Sequence, residues 1–438
     1  MWRIVTLLLL FGAGQVNAQV LSGGSAPVPI NQKFYAPAPA SSGGRVGAVL
    51  ATNSPTSWSI IAGNPAGDFA ISDTGVVTFT SRGAAHYDGT IALKSATLTV
   101  QATNTSGAAT ATVEVNAYAD GSANAPSGPV QHPTGLSGYR LRPPWKVAGF
   151  DYYVGIPFGI VLSPPRSISD PDITVSGNAV VCSGRGASVS LNAIDFTGYF
   201  VYIPSGGCSS LTITNSNFAC TNNKSPAFAF FQDQNSAKVV IRTSKINSGD
   251  NCGAWPGNVS DPITCSGSCT IEYNWFYHAS ERIVSSGIAT LYRWNLIDSP
   301  NPANGAHQNY EQFGGGSTAL SDVVEFNASY SAISRGGEGY QFYGNVLPAT
   351  IVSPVFRFNT MIALKTGGHV TMSYMVHGSC HTAGSYCTTI SGTGVIADNY
   401  FDPTGAYGIF YGGALTPALG WSSWNNINMV TGRLVTPQ

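Results

Sequence analysis

The stretch Ile271-Glu272-Tyr273-Asn274, answered 21 residues later by Tyr292-Arg293-Trp294-Asn295, decides the fold. Each reads apolar, charged, variable or aromatic, then Asn. The frame recurs at Ile241-Arg242-Thr243-Ser244, Val324-Glu325-Phe326-Asn327 and Phe356-Arg357-Phe358-Asn359. Weaker copies stand at Ile213-Thr214-Asn215-Ser216 and Ile396-Ala397-Asp398-Asn399. Measured between fourth positions, the spacings are 28, 30, 21, 32, 32 and 40. A loose period of this kind indicates stacked coils whose connections swell into loops. With each copy directly above the last, Arg242, Glu272, Arg293, Glu325 and Arg357 form one outward column of alternating sign. Rungs lie about 4.8 Å apart, a distance at which like charges repel.

Working outward, a second apolar stretch follows the frame at Phe218, Ile246, Phe276, Ile297 and Phe401. In several coils another precedes it, as at Phe228 to Gln232, Glu311 to Gly314 and Met375 to Gly378. The segments alternate rather than follow a 3.6 period, and are rich in Val, Ile, Thr, Phe and Tyr, which excludes a helical solenoid. Asn or Ser at the bend suits left-handed geometry and a hydrogen bond to its counterpart in the next coil. This pattern resembles the right-handed parallel β-helix of the pectate-lyase-like superfamily, asparagine ladder included, over 163–438.

Residues 1–18 have the order of a signal peptide: Arg3, an apolar run from Ile4 to Phe11, then Val16-Asn17-Ala18. Export to the medium or the cell surface is expected, and no later segment is apolar enough to span a bilayer. Residues 27–118 form a Cys-free unit of short alternating strands that resembles a cadherin-like or immunoglobulin-like β-sandwich. Such domains serve as spacers or adhesive modules, and cadherins bind calcium through acidic motifs. Here Ser81-Arg82-Gly83 stands where an acidic cluster is expected, and Asp120 alone lies near the outgoing segment. Calcium is the only cofactor left open. Residues 119–162, rich in Gly, Ser, Ala and Pro, read as a linker and N-terminal cap. The fold class expected is all-β: a small sandwich, then a right-handed parallel β-helix.

All eight Cys lie after residue 180, an even count that favours disulfides in an exported chain. Cys380 and Cys387 bracket a short insertion and are the first pair expected; Cys265 and Cys269 lack the neighbours of a zinc site. His369, His377 and His381 match no metal frame. With net charge -1 and 9% charged residues, the surface is not nucleic-acid-seeking. Sparse charge with 51 Gly and 11% aromatics suits a polysaccharide partner, and a monomer is expected.

In the resembled superfamily the substrate groove runs along one strand-sheet and its bordering loops near mid-stack. The matching coils hold His307, Asn309, Tyr310, Glu311 and Gln312, flanked by Glu281-Arg282 before and Arg335, Glu338, Tyr340 and Gln341 after. His307 and Gln312 also match a His-x-Asp-x-x-Gln segment of some bacterial β-helix proteins, with Asn309 in the acid's place. The resemblance implies Arg, Lys or His as base, Tyr as acid and Arg or calcium as carboxylate neutraliser. His307, Tyr310, Arg282 and Arg335 supply such a set for β-elimination of a uronide. Glycoside hydrolysis instead needs two carboxyls roughly 5 Å or 6.5–9.5 Å apart, which Glu281, Glu311 and Glu338 can offer. A non-catalytic glycan-binding adhesin stays open beside both enzymes. Trp255, Trp275, Tyr277, Tyr310, Tyr340, Trp421 and Trp424 are candidate sugar platforms, although such residues also fill β cores.

Overall fold

The computed structural model describes residues 25–435 except 89–92, 222–228, 249–251, 253–261, 279–282, 286–288, 299–310, 314–320, 332–337, 343–349, 364–373, 379–388, 403–409 and 411–419. From Ile173 onward the chain winds as a parallel β-helix with three sheets, of nine, nine and eight strands among the described residues. The pairs in all three are parallel except Ile173–Ser176 with Ala179–Cys182, which opens the first sheet. A typical coil runs Phe231–Asp233 in the first sheet, Lys238–Arg242 in the second and Lys245–Asn247 in the third. Alternate residues point inward: Phe231, Val239, Ile241 and Ile246 are buried within one continuous core.

The repeated frame occupies the corner between the second and third sheets. Pairing runs Thr214, Arg242, Glu272, Arg293, Glu325, Arg357, so the expected register holds. Arg242 Nε donates to Glu272 at 3.0 Å, Arg293 Nε to the same carboxylate at 2.7 Å, and Arg357 Nε to Glu325 at 2.9 Å. Only Arg242, at the first end of the column, stays exposed; the members above it are covered. Glu272 is 2% exposed and Glu325 5%, because later-packed chain covers this corner.

The left-handed residue is also not the Asn or Ser but the one before it. Asn215, Thr243, Tyr273, Trp294, Phe326, Phe358, Asp398 and Asn425 all have φ between 50° and 58°. Left-handed geometry costs an L-residue about 1–2 kcal/mol, and the aromatic members offset it by stacking outside the coil. Phe326 and Phe358 lie 4.6 Å apart, Tyr273 and Trp294 4.8 Å. The Asn side chains then hydrogen-bond from coil to coil as expected. Asn274, Asn295, Asn327, Asn359 and Asn399 each donate their amide to the Oδ1 of the next member, at 2.9 to 3.1 Å, ending at Asn426. Each Oδ1 also accepts the backbone N–H of the Asn below, as Asn295 does from Asn274 at 2.9 Å. The ladder thereby satisfies the side-chain amides of the buried Asn at the bend.

What covers this corner is 120–163, which forms a strap along the third-sheet flank. Leu136, Trp145, Val147, Phe150 and Tyr152 share a buried cluster with Tyr273, Trp294, Phe326, Phe358 and Tyr400. The strap climbs to the last coils, where Tyr139 donates to Asp402 at 2.5 Å and the Leu141 N–H to Met429 O at 3.1 Å. It returns past Gly155, whose N–H reaches Tyr273 O at 2.7 Å, and pairs Ser163 with Ile194.

The preceding small domain is two facing sheets: Gln32–Ala38, Gly107–Ala119, Leu93–Asn104 and Ser57–Ala62 against Arg45–Ala48, Val76–Phe79 and Phe69–Ile71. Phe34, Val46, Phe69, Val77, Leu98, Val100 and Val113 fill the space between. Ser81-Arg82-Gly83 begins the helix Ser81–His86, capped by Thr80. Asp68 is held by His86 at 2.7 Å and Arg82 at 3.8 Å. The Asp120 carboxylate is fully buried and accepts the N–H groups of Ser122 and Lys146, both at 3.0 Å, so it fastens domain to strap. Burial raises its pKa despite those bonds. Domain and coil also meet where the Arg357 guanidinium lies 3.9 Å above the Tyr118 ring.

Three disulfides are present among the described residues: Cys182–Cys208, Cys220–Cys252 and Cys265–Cys269. Cys380 and Cys387 lie outside them. No helix among the described residues is long and apolar enough to cross a membrane.

Candidate functional site

The residues singled out for chemistry belong to the connections that carry the chain from the third sheet back to the first. Glu281 and Arg282 lie between strands Trp275–Tyr277 and Ile283–Ser285; His307, Asn309 and Tyr310 between Leu296–Asp298 and Glu311–Phe313. Arg335 lies between Ala328–Ser331 and Glu338–Phe342, and Trp255 between Lys245–Asn247 and Ile263–Cys265. These seven are outside the described residues. Glu311, Gln312, Glu338, Tyr340 and Gln341 are described through their backbone. Glu311 pairs with Ile283 on one side and Tyr340 on the other, and Gln312 with Val284 and Gln341. Glu338 pairs with Tyr374 in the next coil.

Register separates two columns on this sheet. Gln312 and Gln341 continue the column of Tyr202, Gln232 and Thr264, which are half-buried. Glu311 and Tyr340 continue the column of Val201, Phe231 and Ile263, which are buried.

Where these connections leave the third sheet, the side chains are well defined. Asp298, 4% exposed at its side chain, ends the strand from which 299–310 departs. Its Oδ2 accepts the Trp275 indole N–H at 3.0 Å, and its Oδ1 lies 3.0 Å from His132 Nε2 on the strap. The imidazole is close enough to ion-pair but is not aligned for a hydrogen bond. Its ring packs on Tyr330 at 4.1 Å and Phe150 at 5.5 Å. Tyr330 has its pKa raised by burial and by the Asp298 charge.

One rung earlier, the Lys245 ammonium sits 4.6 Å from the Trp275 ring and 4.7 Å from that of Tyr277. Tyr277 stacks on His278 at 3.8 Å, and the His278 N–H bonds to Asp298 O at 2.9 Å. Trp275 and Tyr277 are therefore engaged with a cation and a carboxylate rather than bare. Trp421 is 4% exposed and packs in the core.

This cluster can bury a carboxylate, fix two strand ends one rung apart and pin the strap over them. Sequence reasoning missed Asp298, His132 and Tyr330. The pair joins residues far apart in the chain, and nothing local to either predicts the other. Among the described residues no group of three or more His, Cys, Asp or Glu can hold a metal. His369 and His381 lie outside them, and His377 is described by backbone alone.

No protein-family model matches this chain, and no curated protein sequence matches it.

Proposed function

We propose that this is a secreted or cell-surface protein of the pectate-lyase-like kind, preceded by a cadherin- or immunoglobulin-like module, that cleaves an extracellular or cell-wall polysaccharide by β-elimination. In this reading His307 takes the proton at C5 of a uronide. Arg282 and Arg335 neutralise its carboxylate, and Tyr310 protonates the leaving oxygen. Gln312, Gln341 and Asn309 contact the sugar. The observation that carries the reading is the register: Ile283, Glu311 and Tyr340 are paired in successive rungs. The connections bearing Arg282, His307 with Tyr310, and Arg335 therefore all enter one sheet at rungs about 4.8 Å apart. The strand ends at half-buried Tyr277 and buried Asp298 give those connections rigid footings, as a positioned constellation requires.

The test is incubation of the protein with uronic-acid and neutral polysaccharides, reading product masses. Unsaturated oligosaccharides are expected. Hydrated products would transfer the chemistry to Glu281, Glu311 and Glu338, and binding without products would make the protein an adhesin.

A further inference from the structure

The larger sheet of the small domain ends on two unlike edges. One outer strand, Gln32–Ala38, carries Lys33 and Pro37, residues that discourage a further strand from pairing. The other, Ser57–Ala62, reads Ser-Trp-Ser-Ile-Ile-Ala, with neither Lys nor Pro. It pairs with Leu93–Asn104 on one side, and among the described residues its backbone makes no hydrogen bond beyond that ladder. Its outer N–H and C=O groups form an open row, a template for another strand.

The core beneath this edge is open as well. Exposed Ser57 and Ser59 alternate with Trp58 and Ile60, which face inward and pack on the sandwich core. Inward residues elsewhere in the sheet, Phe34, Leu98, Val100, Val113 and Val115, are fully buried. Trp58 and Ile60 are only half-buried. Across the sandwich from them runs Phe69–Ile71, the outer strand of the facing sheet, and its Ile71 is half-buried too. Three large apolar side chains thus line a seam that the domain does not close. Ile61, the extra residue of a bulge between Ile60 and Ala62, stands exposed beside it.

The edge itself defines what completes it: an extended strand with large apolar residues inward and small polar ones outward. Ser57–Ala62 has that pattern. Pairing it antiparallel with its own copy about Ser59 sets Trp58 opposite Ile60 in both directions, an aromatic–β-branched pair of the favourable kind. Ser59 then meets Ser59 on the outer face. Residues 46–67 contain no charged side chain, so two copies approach here without repulsion, and nothing selects a partner of opposite charge.

We infer that the protein dimerises through this edge, Ser57–Ala62 of one molecule pairing antiparallel with the same strand of a second about a two-fold axis at Ser59. Such an interface is self-complementary, each molecule giving the same patch. The larger sheet becomes continuous across both molecules, and the two open seams close on each other. No residue assigned to cleavage takes part, and the monomer expected from the sequence gives way to a pair.

The test is sedimentation equilibrium of the full protein and its Ser59 variants. The unaltered protein should pass from monomer to dimer as its concentration rises. Ser59→Lys and Ser59→Asp each set like charges face to face and should each weaken the dimer at least about tenfold. An equimolar mixture of the two should recover it, since opposite charges then meet; misfolded variants would not be rescued this way. On oxidation Ser59→Cys should give a disulfide-linked dimer, because directly opposed residues have Cα atoms about 4.5–5.5 Å apart, within a disulfide's reach. Ser106→Cys, exposed at the tip of the neighbouring hairpin, should not. A protein that stays monomeric at its highest soluble concentration would overturn the edge pairing. So would a dimer that survives Ser59→Lys, a mixture that does not recover it, or equal cross-linking by Ser106→Cys.

Discussion

The two corners of the third sheet obey opposite rules. Where the chain enters it from the second sheet, only Thr243 and Ser244 separate Lys238–Arg242 from Lys245–Asn247, and the same two-residue bend repeats up the stack. Where the chain leaves it for the first sheet, Tyr277 and Ile283 are close in sequence while Asp298 and Glu311 are far apart. The first corner is crowded with obligations: a positive φ, a buried amide that must meet two neighbours, and alternating charge. The second has none that recur, so its length and composition are free to vary and to carry chemistry. Specification sits on one edge of the sheet, and the proposed chemistry on the other.

The sharpest contrast to break is functional. His307→Ala belongs to the permissive corner; it should abolish product formation and leave the melting temperature nearly unchanged. Surviving turnover would remove His307 from the mechanism. Arg293→Glu belongs to the constrained corner and should do the reverse, leaving substrate preference alone. It sets a third carboxylate between two nearly buried ones, Glu272 and Glu325, and loss of buried pairing costs about 3–5 kcal/mol. No shift in the denaturant midpoint would contradict the ion pairs of Arg293 with Glu272 and Glu325.

A third test falls inside the coil. Asp322 is fully buried; its Oδ1 accepts the Thr290 N–H at 3.1 Å, and its Oδ2 has no partner among the described residues. Burial raises its pKa from 3.8 to about 7. An acid with a raised native pKa binds its proton more tightly when folded. The stability that Asp322 contributes is thus greatest below about pH 4, falls as pH climbs through about 7, and levels off above, a loss of about 4 kcal/mol. Thermal melts of Asp322→Asn across this range should lack that decline; an identical slope in both proteins would exclude Asp322 as its source. The smallest effect is at Ala193, an L-residue with φ 58°. Ala193→Gly should raise stability by about 0.5–1 kcal/mol, and a lower denaturation midpoint would refute the strain.

The constrained corner was legible because its demands repeat. Alternating Arg and Glu inside one frame, with Asn at a fixed offset, reports both stacking and register. Yet the pattern could not say which bend residue carries positive φ, since Tyr, Trp and Phe at that position look like ordinary strand residues. Their geometry follows from a strap whose own apolar members, Leu136, Trp145, Val147 and Phe150, are scattered among Gly and Pro without period. For the same reason the charged column reads as surface in sequence and, above Arg242, is covered in the fold. The candidate connections were found by composition, but Asp298 and His132 meet only through the strap's path.

That path has a consequence for how the molecule is made. Tyr139 and Leu141 emerge from the ribosome, and from any export channel, long before their partners Asp402 and Met429. The strap must wait, half-docked, until the last coils have wound, and contacts of such sequence separation close late and slowly. A chain that lacks the last coils lacks the strap's partners Asp402 and Met429. The strap's seating marks a chain that has been delivered whole.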